Sequence, residues 1–83
     1  MDIYDDVKKV LLDKLNISEA LIKPESNLIN DLGVSSLDRV DIEMELEEKF
    51  NIELSDLEAQ TIVNPHDIAM IIERKLKLNN KDT

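Results

Sequence analysis

The sequence predicts an all-α protein, a four-helix bundle of three longer helices and one short helix with a long loop between the first and second. Three observations carry that expectation. Gly occurs once and Pro twice, and the aromatics are Tyr4 and Phe50 alone, a poor supply for strands and tight turns. Apolar residues recur at helical spacing. Helix start signals stand ahead of those runs.

The elements follow in order. Behind Asp2 as N-cap, Ile3, Val7, Val10, Leu11 and Leu15 share one face, which predicts a first helix from about Ile3 to Leu15. From Asn16 to Ser35 the pattern loosens into Asn, Ser, Pro and Gly. Its isolated apolar residues Ile17, Leu21, Ile22, Leu28 and Leu32 read as anchors of an ordered loop, with a short helical turn around Ser18 to Ile22. Strong helix formers without Gly or Pro predict a second helix from about Ser36 to Phe50, capped by Ser36 and Asp38. Ser55 with Glu58 three residues later is a capping-box pattern opening a short helix, about Asp56 to Thr61. Asn64, Pro65 and Asp67 then open a last helix to about Leu76, with Ile68, Ile71, Ile72 and Leu76 inward. One domain over 1–78 is expected, with a frayed tail over 79–83.

Composition excludes several classes of function. With 19 acidic against 10 basic residues the net charge is -9, which disfavours nucleic acid and anionic membrane surfaces and steers basic protein surfaces toward the chain. No apolar run approaches a membrane span, and the opening Met1-Asp2-Ile3-Tyr4-Asp5-Asp6 is acidic where a signal peptide is basic. A cytoplasmic monomer is the expectation. There is no cysteine, hence no thiol nucleophile, and the single His66 reads as a surface residue. The stretch from Asp38 has Val40 and Ile42 where a calcium loop needs oxygen ligands. Gly33-Val34-Ser35-Ser36-Leu37 lacks the second glycine of a nucleophile elbow. Catalysis and metal binding by the chain alone are not expected.

The second helix is the informative element. Advanced by about 100° per residue, Ile42, Leu46 and Phe50 form one apolar stripe, while Leu37, Val40 and Met44 form another on nearly the opposite side. Asp41, Glu47 and Glu48 flank the second stripe. One helix of a small bundle cannot bury both faces and still solvate those acids. Ile42, Leu46 and Phe50 are therefore assigned to the core, and Leu37, Val40 and Met44 to an exposed docking patch with an acidic rim. The alternative is that this second stripe packs beneath the long loop. Ser36 stands at the loop-to-helix junction beside the patch; with no base in reach it is a candidate substrate rather than a nucleophile. Arg39 and Glu43, four apart at the edge of the core stripe, are expected to form an ion pair.

Asp31-Leu32-Gly33-Val34-Ser35-Ser36-Leu37-Asp38, then Val40-Asp41 and Leu46-Glu47-Glu48-Lys49-Phe50, resemble the phosphopantetheine-attachment signature of acyl carrier proteins. The resemblance spans about residues 3 to 76. It implies an acyl-carrier-like bundle with 4'-phosphopantetheine, taken from coenzyme A, on Ser36. It also implies a partner face made of Leu37, Asp38, Val40, Asp41, Met44, Glu47 and Glu48. The partners so implied are a phosphopantetheinyl transferase and acyl-loading and acyl-processing enzymes with basic docking surfaces. The thiol would come from the arm, and the protein would be a substrate of enzymes and not itself one.

Two departures qualify the resemblance. Ser35 stands where the family usually has Asp before the modified serine, so two hydroxyls are adjacent; Ser36 alone directly precedes Leu37-Asp38. Arg39 and Glu43 occupy positions where small or apolar residues are common in the family. There an acyl chain slips inward between the second and third helices, so these two residues are expected at the cavity entrance, favouring short or polar cargo. Fatty-acid or related acyl biosynthesis is the main functional expectation. The alternatives are a carrier of an activated amino acid, of the D-alanyl type, and an unmodified carrier-like interaction module.

Overall fold

The computed structural model describes residues 2–80. In chain order it has helix α1 (Ile3–Lys14), a 3-10 turn (Glu19–Leu21), α2 (Ser36–Phe50), α3 (Asp56–Gln60) and α4 (Pro65–Asn80). The four-helix, all-α expectation holds among these residues. α1 packs against both α2 and α4, and the core is filled by Val7, Val10, Leu11 and Leu15 from the α1 segment, Ile42, Leu46 and Phe50 from α2, and Ile68, Ile71 and Ile72 from α4.

Element boundaries depart from expectation at the ends, each for a local reason. Leu15 leaves α1 with extended backbone, yet its amide still donates to the Leu11 carbonyl and its side chain stays buried, so it closes the helix instead of extending it. α3 stops at Gln60, where Thr61 caps it. α4 runs past Leu76 to Asn80 because no Gly or Pro follows and Lys77 pairs with Glu73 one turn back at 3.1 Å. Asn79 and Asn80 of the expected tail are thus helical in backbone, and 81–83 lie outside the described residues.

The cap of α2 is a correction. Ser35, not Ser36, is the N-cap: its hydroxyl accepts from the Asp38 amide at 3.1 Å, and the Asp38 carboxylate accepts from the Ser35 amide at 3.2 Å. This capping box satisfies two donors reciprocally and moves Ser36 to the first helical position. At the other end Asn51 takes the left-handed conformation, φ 53, that commonly closes a helix.

The long loop is held by its own polar groups as well as by its apolar anchors. Of the expected anchors Ile22, Leu28 and Leu32 are buried, joined by Val34, whereas Leu21 is half exposed and does not anchor the loop. The buried Ser26 hydroxyl donates to the Leu21 carbonyl at 2.8 Å and accepts from the Lys23 amide at 3.0 Å. Backbone bonds from Leu28 to the Val63 carbonyl and from His66 to the Pro24 carbonyl tie the loop to the α3–α4 connection. Gly33, φ +69, supplies the left-handed residue that turns the chain into α2; a side chain there would meet no neighbour, so the requirement is conformational.

α3 has five residues and none is buried, too short to persist by itself. Side chains pin it. Ser55 and Glu58 form the expected capping box, and the Lys75 ammonium of α4 reaches the Glu58 carboxylate at 2.8 Å. That hydrogen bond first, and the Ser55 amide second, hold the Glu58 carboxyl below its ordinary value near 4.5, at about 2. A depressed folded pKa contributes stability that is fully present above about pH 4.5 and is lost as pH falls through about 2. Glu58→Gln keeps an acceptor for the Ser55 amide but not the charge. Urea unfolding at stepped pH should therefore show wild type more stable by a constant margin above pH 4.5, and the margin should shrink steadily below it.

Candidate functional site

The first turn of α2 brings two hydroxyls side by side and makes them unequal. The Ser35 hydroxyl is committed to the cap. The Ser36 hydroxyl is exposed and takes no hydrogen bond among the described residues. The amides of Ser36 and Leu37 likewise have no acceptor there, so the positive end of the helix dipole faces solvent at this point. No side-chain base touches the Ser36 hydroxyl among the described residues, so the chain itself does not activate it as a nucleophile.

Beyond Ser36 the helix presents the predicted apolar stripe to solvent. Leu37 is 83% exposed, Val40 55% and Met44 61%, so the stripe does not pack under the loop. The acids around it differ in freedom. Asp38 is engaged in the capping box. Asp41 is exposed, 3.9 Å from Lys14 of α1, and Glu48 is exposed with no ion-pair partner among the described residues. Glu47 is half-buried: its carboxylate accepts from the Leu54 amide at 2.8 Å, fastening the segment that leads into α3.

Arg39 and Glu43 pair as expected, Nε to Oε2 at 3.2 Å. Sequence reasoning missed the rest of this arrangement. The Arg39 guanidinium also donates from Nη2 to the carbonyls of Ala59 and Ile62, the latter at 3.2 Å, so it joins α2 to the end of α3. Leu57, exposed on α3 between Asp56 and Glu58, was also unassigned. Its signal was present: a lone leucine between two acids in a helix has no core face to join.

Comparison with known proteins bears on this geometry directly. The phosphopantetheine attachment site family matches residues 5–72. The chain is 46% identical over 77 residues to the acyl carrier protein of Campylobacter lari, covering 93% of this chain and 100% of that one. It is 47% identical over 73 residues to the acyl carrier protein of Wolinella succinogenes, covering 88% and 96%. The acyl carrier protein of Helicobacter pylori strain J99 is 44% identical over 73 residues, covering 88% and 94%. The chain belongs to the acyl carrier proteins.

The cofactor of this carrier is accordingly a covalently attached 4'-phosphopantetheine. The first turn of α2 suits such a group: an exposed, unbonded hydroxyl for the ester link, and two amides without acceptors beside it for the phosphate's charge. Among the described residues no helix is long and apolar enough to cross a membrane.

Proposed function

We propose that Ser36 bears the arm and that α2 is the face by which this carrier is recognised. The observation that carries the reading is the inequality of the two serines, one hydroxyl spent on the cap and the other free in solvent. In the modification, the Ser36 oxygen forms a bond to the β-phosphorus of coenzyme A as the bond to adenosine 3',5'-bisphosphate breaks. The serine proton goes to a base on the transferase, since none contacts it here. The bound arm supplies a terminal thiol, on which acyl groups travel as thioesters. The chain's own part is to present that thiol and to identify itself to partners, so it is a carrier and substrate and not a catalyst.

Partner recognition is assigned to Leu37, Val40 and Met44 with the rim Asp38, Asp41, Glu47 and Glu48. Apolar contact supplies the burial and the acids steer basic enzymes toward it. The names of the relatives favour acyl over aminoacyl cargo, and the charge of -9 favours partners with basic surfaces. Because Glu47 also holds Leu54, the two freer rim acids make the cleaner test. Asp41→Lys with Glu48→Lys should weaken a transferase or synthase about tenfold and flatten the salt dependence while leaving helicity intact, since exposed pairs contribute about 0.2 to 1 kcal/mol each and reversal adds repulsion. Binding unchanged across a salt series would rule the rim out.

A further inference from the structure

A small apolar cavity lies under α2, with a volume of about 20 Å³, room for about one water-sized group. Ile42, Leu46, Ile62 and Ile68 are among its apolar walls, all of them buried, and Arg39 and Glu43 complete the lining. Those two side chains keep 32% and 24% of their surface in solvent, so the way in from outside runs past them.

Arg39 does more there than pair with Glu43. Its bonds to the Ala59 and Ile62 carbonyls hold the end of α3 against α2, a task suited to the planar, five-donor guanidinium. Admitting even a few methylenes means moving α3 away from α2. That movement strips the two carbonyls of their donor and forces an apolar chain past a charged pair, leaving polar groups unsatisfied in its path. Ser36 lies three residues before Arg39 on the same face of the helix, so cargo tethered at Ser36 and the obstacle share one side of the protein.

We propose that Arg39 and Glu43 form a latch that keeps this cavity closed to long saturated acyl chains and makes the carrier selective for short or polar acyl groups. The proposal rests on the reading that Ser36 bears the arm.

Non-hydrolysable amide analogues of acetyl-, octanoyl- and hexadecanoyl-pantetheine, installed on the full chain, test it. Intact mass and peptide mapping come first: absence of loading at Ser36 overturns the attachment reading and the latch with it. For loaded wild type the latch predicts melting temperatures within about 2 °C across the three acyl groups. Arg39→Thr with Glu43→Val should instead rise by about 10 °C or more from acetyl to octanoyl, as buried methylenes stabilise the folded state. Arg39→Lys, which keeps the charge but not the fork, should rise part of the way. Methyl resonances of Ile42, Leu46, Ile62 and Ile68 report on the cavity without relying on stability. They should be alike in acetyl and octanoyl wild type and differ in the variants. A wild-type melting temperature that climbs steadily to hexadecanoyl, with those methyl resonances moving, overturns the latch while leaving the attachment site in place.

Discussion

Given coenzyme A and a phosphopantetheinyl transferase, wild type and Ser35→Ala should gain the arm and Ser36→Ala should not. The expected effect is all or none at position 36, because the proposed attachment takes its ester oxygen from that side chain. Position 35 acts differently. Its hydroxyl holds the Asp38 amide at 3.1 Å, and loss of such a cap costs about 0.5 to 2 kcal/mol. Ser35→Ala should therefore melt lower and be modified more slowly, yet to completion. Intact mass over time separates the two variants. Modification of Ser36→Ala at the wild-type rate would place the arm elsewhere.

A second large effect concerns the two faces of α2. Leu46, 1% exposed, is surrounded by core, so Leu46→Ala should lower stability by about 2 to 5 kcal/mol. That is a large part of the roughly 5 to 15 kcal/mol that holds a domain together, and it corresponds to a fall in melting temperature of about 10 °C or more. Met44, two residues earlier on the opposite stripe, should give a change within about 0.5 kcal/mol when truncated to Ala. The order should invert for binding: Met44→Ala weakens partner enzymes, and Leu46→Ala does so only as it unfolds the chain. Denaturant unfolding of both variants checks the first half of this expectation. Equal destabilisation by the two would mean that the helix has one buried face of a different orientation.

The division of α2 was legible because periodicity and charge agreed: a stripe flanked by acids alone cannot be buried cheaply, whereas the charges at the edge of the stripe opposite, Arg39 and Glu43, are spaced to neutralise each other. The bounds Ser36–Phe50 were legible too, since strong helix formers run unbroken between a loop and an asparagine able to adopt the left-handed conformation. Capping was misread by one residue, although the signal was in the spacing: Ser35 and Asp38 stand three apart, the same interval as Ser55 and Glu58. Other features had no local signal. The carbonyls that Arg39 reaches are 20 and 23 residues away, and the Leu54 amide that occupies Glu47 is 7 away across a helix end. Only the folded chain brings such partners together. The consequence is structural: Glu47 becomes a fastening for the segment that leads into α3, and the Arg39–Glu43 pair, expected to form at the edge of the core stripe, also links α2 to α3.

Peptide-level mass spectrometry of the chain purified from its own cells tests the central claim most directly. The account predicts a phosphopantetheine ester on Ser36, with Ser35 unmodified in the same peptide. An arm on Ser35, or a fully unmodified peptide from cells whose transferase is active, would contradict it.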